Sequence, residues 1–192
     1  MAIVNFHNAQ FITSCLDLYS RPKTLYPEVV FIGKSNVGKS TLINALTGQK
    51  IAFSSKKAGK TQLLNYFLID KEFYLVDAPG YGYTAYGNKF DVSFAEMMEP
   101  YFEGNAYLKG VYLLIDSRRG MQKDEKEMFA YLKEVGIPTV LIYTKADQIK
   151  QQDKSRIIKE AAALNTPYFF SSIKTNPEEI RRSIVQLIRE RK

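Results

Sequence analysis

Gly33-Lys34-Ser35-Asn36-Val37-Gly38-Lys39-Ser40 is the stretch on which the reading of this chain turns. It fits G-x-x-x-x-G-K-[ST], the pattern of a loop that cradles phosphates. Val29-Val30-Phe31-Ile32 precedes it, a short apolar and β-branched run that predicts a buried strand. Thr41-Leu42-Ile43-Asn44-Ala45-Leu46 follows, with Leu42, Ile43 and Leu46 at helical spacing. Strand, loop and helix is the context that the motif requires. Gly33 and Gly38 let the backbone turn tightly and bring its N–H groups against phosphate oxygens. The helix beginning near Lys39 adds its positive N-terminal end. Lys39 then reaches the β- and γ-phosphates, and the Ser40 hydroxyl is placed to ligate Mg²⁺.

With 192 residues the chain is long enough to bury a core as one domain. Residues 1–28 read as a lead-in, in which 2–15 is either an edge strand or irregular, and residues 29–192 read as a single nucleotide-binding domain. A single cysteine (Cys15) and a single histidine (His7) exclude a disulfide framework and a Cys/His metal cluster. A lone thiol fits a reducing cytosol. No apolar run approaches the roughly 18 residues of a membrane span, and the N-terminus lacks the basic and apolar regions of a secretory signal. A cytoplasmic location away from membranes is therefore expected. The net charge of +7 points to a polyanionic partner such as RNA.

Runs at 63–69 and 73–76, parted by Asp70 and Lys71, predict a hairpin. Further strands are expected at 111–115, 138–143 and 168–170, and helices at 88–102, 122–135 and 153–164. A last helix from Pro177 carries Ile180, Ile184, Leu187 and Ile188 on one face. Strands alternating with helices predict an α/β fold: a mainly parallel six-stranded sheet with helices on both faces and one antiparallel edge strand from the hairpin.

Further elements fall at strand C-terminal ends or in loops, where such sheets bind ligands. Asp77-Ala78-Pro79-Gly80 offers a carboxylate to the Mg²⁺ shell and a glycine N–H to a γ-phosphate. Thr61, in the basic loop containing Gly59 and Lys60, has a hydroxyl that completes that shell only when the γ-phosphate is present. In Thr144-Lys145-Ala146-Asp147 the Asp147 carboxylate suits the paired N1–H and amino donors of guanine, which adenine does not offer, and the Lys145 stem can cover the base. Ser171-Ser172-Ile173 can brace the base with an N–H and a hydroxyl. Lys39, Thr61 and Gly80 are the candidates for catalysis, and Ser40, Thr61 and Asp77 for the metal. Together these strings indicate guanine-nucleotide binding.

The chain here resembles the small translation-factor-class P-loop GTPases, with the Ras-like G-domain fold, and among them the EngB (YihA/YsxC) family. The matching strings are 33–40, Gly59-Lys60-Thr61-Gln62, Asp77-Ala78-Pro79-Gly80-Tyr81-Gly82-Tyr83, Thr144-Lys145-Ala146-Asp147 and Ser171-Ser172. The resemblance implies a monomeric bacterial GTPase switch with GTP/GDP and Mg²⁺. It also implies a precursor of the large ribosomal subunit as partner, through rRNA or ribosomal proteins, and a link to cell division and septation. Tyr81 departs from the better-known relatives, in which a glutamine orients the attacking water; slow intrinsic hydrolysis, accelerated by a partner, is expected. Similar GTPases with asparagine at the position of Asn36 bind K⁺ beside the phosphates, a second route to acceleration.

Two features keep alternatives open. Tyr81, Tyr83 and Tyr86 either stack on RNA bases or pack against helices. Lys56, Lys57, Lys60, Arg118, Arg119, Arg181, Arg182, Arg189, Arg191 and Lys192 are either solvated faces or an RNA surface. Two rival functions also stand: a guanine-nucleotide-gated RNA or protein binding module with negligible turnover, and a P-loop ATPase or kinase in which Asp147 is incidental.

Overall fold

The computed structural model describes residues 3–23, 25–53, 63–81 and 92–190. In chain order the elements are β1 (Ala9–Cys15), β2 (Glu28–Gly33), α1 (Lys39–Thr47), β3 (Leu64–Ile69), β4 (Phe73–Asp77), α2 (Val92–Gly104), β5 (Leu108–Asp116), α3 (Lys123–Glu134), β6 (Thr139–Thr144), α4 (Gln151–Ala163), β7 (Tyr168–Phe170) and α5 (Glu178–Arg189).

One sheet holds the strands in the order β1-β3-β4-β2-β5-β6-β7. From β4 to β7 the pairings are parallel. The sheet has seven strands where six are expected, and the hairpin does not supply its edge. β1 pairs antiparallel with β3 and β3 antiparallel with β4, so the hairpin's β3 is the strand that runs against the others, and it lies inside the edge strand β1. A register shift between Phe11 and Thr13 explains why the sequence pattern is weak here. Phe11 faces Phe67 and Thr13 faces Tyr66, so the extra residue, Ile12, breaks the alternation that marks a strand. The lead-in therefore contributes a strand to the same sheet as the residues that follow it.

The central strands β2, β4 and β6 are buried along their whole length, as a parallel sheet covered on both faces requires. Alternation decides which side each residue serves. Val30 and Ile32 join Phe94, Met98 and Tyr101 of α2, Met128, Phe129 and Leu132 of α3, and Ile157 of α4. Val29 and Phe31 join Leu42, Ile43 and Leu46 of α1 and Ile180, Ile184 and Ile188 of α5. At the hairpin, Asp70 and Lys71 both adopt left-handed backbone. The Asp70 carboxylate accepts hydrogen bonds from the Asn5 backbone N–H (2.8 Å) and the Asn8 amide (3.0 Å), fastening the N-terminal segment there.

A buried carboxyl lies at the end of β2 away from the phosphate loop. The Glu28 carboxylate accepts from the Tyr101 hydroxyl at 2.8 Å and the Asn105 amide at 2.7 Å, with the Arg21 guanidinium 3.6 Å away. These contacts join the lead-in, β2 and α2. Burial raises the Glu28 pKa, although Tyr101, Asn105 and Arg21 work against it. A carboxyl with a raised folded-state pKa contributes stability that is present below its unfolded pKa and lost as pH rises through the folded value. Glu28→Gln removes that titration, so the variant should gain stability relative to the parent chain between pH 5 and pH 8. Urea unfolding at both values checks this; a gap that stays constant with pH refutes it.

Candidate functional site

The ends of β2, β4, β5, β6 and β7 bring the predicted strings to one rim of the sheet. Gly33 closes β2 where a side chain has no space: a Cβ would lie 2.8 Å from Val37 Cγ1 and 3.1 Å from Leu114 Cβ. The loop then turns through left-handed Asn36 (φ 63°) and Gly38 (φ 105°), and Gly38 is the N-cap of α1. No side chain caps this helix and no acidic residue occupies its first turn. Its first N–H groups thus keep the orientation and partial positive charge that bind an anion.

The loop is held from two sides. The Ser35 N–H donates to the Tyr81 carbonyl and the Tyr81 N–H to the Gly33 carbonyl, both at 3.2 Å. From β6, the Thr144 hydroxyl donates to the Val37 carbonyl at 2.6 Å. Thr144 is therefore part of the frame, and its hydroxyl is committed to the loop instead of facing a ligand. Lys34 likewise directs its ammonium away, to Asp124 (2.8 Å) and Glu125 (3.2 Å) in the first turn of α3, leaving only its backbone for phosphate. Burial opposes the Lys34 charge, but these two carboxylates outweigh it and raise its pKa.

Lys39 forms an ion pair with Asp77, the buried last residue of β4. Burial pushes the Asp77 carboxyl up and the Lys39 ammonium opposes this. Gly80 lies against the loop so closely that a Cβ would come within 3.1 Å of the Ser35 backbone. The Gly80 backbone therefore sits beside the loop whose pattern is that of a phosphate cradle. Ser40 is half-buried at the start of α1. Ser40 and Asp77 supply hard oxygen donors of the kind Mg²⁺ takes, with phosphate oxygens and water for the remaining positions. Among the described residues no group of three or more His, Cys, Asp or Glu forms an all-protein metal site. Gly59, Lys60 and Thr61 lie outside the described residues.

At the other end of the rim, Lys145 adopts left-handed backbone (φ 55°) and leads into a single helical turn at Ala146–Gln148. Its ammonium donates to the Asn36 carbonyl at 2.9 Å and to Asp116 at 2.8 Å. The Asp147 carboxylate is exposed. The Ala146 N–H donates to the Ser171 carbonyl (3.1 Å) and the Ser171 N–H to the Tyr143 carbonyl (2.8 Å), which sets the β7 loop beside the turn. The Ser172 hydroxyl, read as a brace for the base, bonds Thr175 at 2.8 Å and accepts the Lys174 N–H at 3.1 Å, so it shapes its own loop. Ile173 presents an apolar surface that is 78% exposed.

Tyr81 resolves one open choice. Its side chain is buried, with its ring 5.3 Å from that of Phe94 at 57°, so it packs against α2 and does not stack on a nucleic-acid base. Tyr83 and Tyr86 lie outside the described residues. Part of the basic set is also engaged internally. The Arg181 guanidinium donates to the Leu46 carbonyl at 3.0 Å and lies over the Phe6 ring, and Arg118 holds Asp116. Arg182 lies 3.5 Å from Glu178 and Arg189 lies 3.9 Å from Glu72. Lys56, Lys57, Lys60, Arg191 and Lys192 lie outside the described residues.

Comparison with known proteins decides the family. A family model described as 50S ribosome-binding GTPase matches residues 28–145. The probable GTP-binding protein EngB of Chlorobium phaeobacteroides is 38% identical over 188 residues, which is 95% of this chain and 98% of that protein. The chain belongs to the EngB family of P-loop GTPases. The EngB protein of Porphyromonas gingivalis is 47% identical over 142 residues, covering 73% of this chain and 71% of its own. A crystal structure of a probable EngB superposes with a TM-score of 0.64 at 27% identity, over 85% of this chain and all of that one. A point variant of Aquifex aeolicus Era bound to GDP·AlF4⁻ superposes at 0.67 with 26% identity, over 88% of this chain and 59% of Era. The reaction of this EngB-family chain is hydrolysis of GTP to GDP and phosphate, and the ATPase or kinase alternative falls with that assignment.

Proposed function

We propose that the protein is a monomeric cytoplasmic GTPase switch acting in assembly of the large ribosomal subunit, with the implied link to division and septation. One observation carries this reading: the phosphate loop, Asp77–Gly80 and Lys145–Asp147 stand on one rim, tied to one another by backbone and side-chain bonds. Lys39 takes the β- and γ-phosphates, which compete with Asp77 for its ammonium. Ser40, Asp77 and Thr61 are the residues that would hold Mg²⁺, whose charge offsets the negative charge of the phosphates. Asp147 accepts from guanine while Lys145 and Ile173 flank the base. Gly80, bonded through the neighbouring Tyr81 to the loop, places the γ-phosphate contact next to α2, so the state of the nucleotide bears on that face. Among the described residues no helix is long and apolar enough to cross a membrane.

The ribosomal part of the proposal draws on the family description, the net charge of +7 and Arg119, exposed at the same rim. Co-sedimentation with large-subunit precursors tests it. Association should be stronger with a GTP analogue than with GDP and should weaken steeply with added salt, as phosphate contacts do. Equal association in both nucleotides would refute the switch.

The buried Tyr81 favours low turnover by the isolated chain, since no side chain at that position faces the attacking water. In Ras, supplying missing groups in trans gains about five powers of ten, roughly 7 kcal/mol. Single-turnover hydrolysis with and without ribosomal particles separates a partner-activated GTPase from a binding module that hardly turns over. K⁺ beside Asn36 is the second source of activation; identical rates in Na⁺ and K⁺ buffers would eliminate it.

A further inference from the structure

The carboxylate of Asp116, at the end of β5, is absent from the sequence motifs that define the nucleotide site, yet four donors converge on it. Oδ1 accepts the Arg118 backbone N–H at 3.1 Å and the Arg118 Nε at 3.0 Å. Oδ2 accepts the Arg118 Nη2 at 2.7 Å and the Lys145 ammonium at 2.8 Å. The paired bonds from one guanidinium fix the plane of the carboxylate as well as its position. Arg118 is fixed in turn, because its Nη1 donates to the Gln148 side chain at 3.2 Å. The contacts close a ring: Asp116 to Arg118, Arg118 to Gln148, and back through the turn containing Asp147 to Lys145.

This ring answers a mechanical need. A lysine ammonium is a point charge on a flexible stem, and ordering that stem costs side-chain entropy. The Asn36 carbonyl alone gives it one anchor. Asp116 gives a second, so the ammonium at the end of the stem is held by both the phosphate loop and β5. Partial burial works against the charge on Asp116, but the bonds from Arg118 and Lys145 outweigh it and hold its carboxyl well below the usual range. The anchor is therefore ionised throughout the neutral range.

We infer that Asp116, braced by Arg118, is a positioning residue of the guanine site, holding Lys145 in the conformation that covers the base. The inference rests on Lys145–Asp147 being the base-reading turn, and the test keeps the two apart. GDP and GTP affinities are measured by titration calorimetry for the parent chain, Asp116→Ala, Lys145→Met and the double variant. Asp116→Ala should weaken both nucleotides by the same factor of about ten, the scale of one charge-assisted hydrogen bond, because the lysine does not touch the γ-phosphate. In the Lys145→Met background the same substitution should have less than about a twofold further effect. Arg118→Met should give a smaller loss in the same direction. Additive losses in the double variant, or a loss confined to GTP, would overturn the positioning role. Parent chain that fails to bind GDP would instead overturn the site itself. Thermal unfolding of the nucleotide-free variants accompanies the titrations; a fall in midpoint with nucleotide affinity unchanged would also refute the inference.

Discussion

Asp147→Asn converts the nucleotide preference from guanine to xanthine. In the proposed site the exposed carboxylate would accept from two donors of guanine, and each hydrogen bond to a charged group is worth about 1.5–3 kcal/mol. An amide in its place keeps one acceptor and turns an NH₂ toward a donor. The bond lost outright and the charge lost from the other together amount to roughly 3 kcal/mol, or about 10² in affinity for GDP. Xanthine carries a carbonyl where guanine carries the amino group, so the new NH₂ meets an acceptor. Competition binding with GDP, XDP and ADP reads the change directly. Undiminished preference for GDP would mean that the turn at Ala146–Gln148 does not read the base.

Lys39→Ala should have two separable effects. Nucleotide affinity and hydrolysis should lose the side-chain cation proposed to meet the phosphates, and GTP turnover should fall below detection. The second effect needs no nucleotide. The ion pair with Asp77 is largely buried, with side-chain exposures of 12% and 6%. Removing one member leaves the other charge uncompensated, a cost of about 3–5 kcal/mol. The Asp77 carboxyl, already pushed up by burial, must then rise further. Its folded-state pKa lies above the unfolded one, so stability is recovered as pH falls through the folded value and is lost as pH rises. Urea unfolding of Lys39→Ala without nucleotide should show a deficit at pH 8 that narrows at pH 5, and adding Asp77→Asn should relieve it at both. A variant as stable as the parent at pH 8 would mean that the ion pair contributes nothing to the fold.

The parts of the molecule legible in its sequence are those where one local rule acts alone. The phosphate loop is readable because a glycine pattern, a β-branched run and a helical period coincide between Val29 and Leu46. The three parallel strands after the hairpin show as apolar runs, and β7 falls at 168–170 as expected. β1 is ambiguous in the sequence because its bulge at Ile12 removes the alternation, and only its pairing with β3 makes it a strand. Nor does a short string say which way a side chain points. Lys34, Thr144 and Ser172 lie within the expected strings, yet their polar atoms are spent on α3, the loop backbone and Thr175. Asp116 is visible as an acidic residue two positions before an arginine at a strand end, but its tie to Lys145, 29 residues on, belongs to the tertiary structure.

Arg181 has a consequence for how the protein is made. α1 carries no basic residue in its own last turn, and its terminal carbonyls at Ala45 and Leu46 receive the guanidinium of a residue 135 positions beyond Leu46. The helix that presents Lys39 and Ser40 is thus electrostatically complete only after α5 has been synthesised and has docked. A nascent chain that has emerged as far as β6 already contains the phosphate loop and the base-reading turn's strand, but not the residue that settles α1. Ribosome-bound chains stalled before α5 should therefore capture nucleotide poorly until translation has passed Arg181.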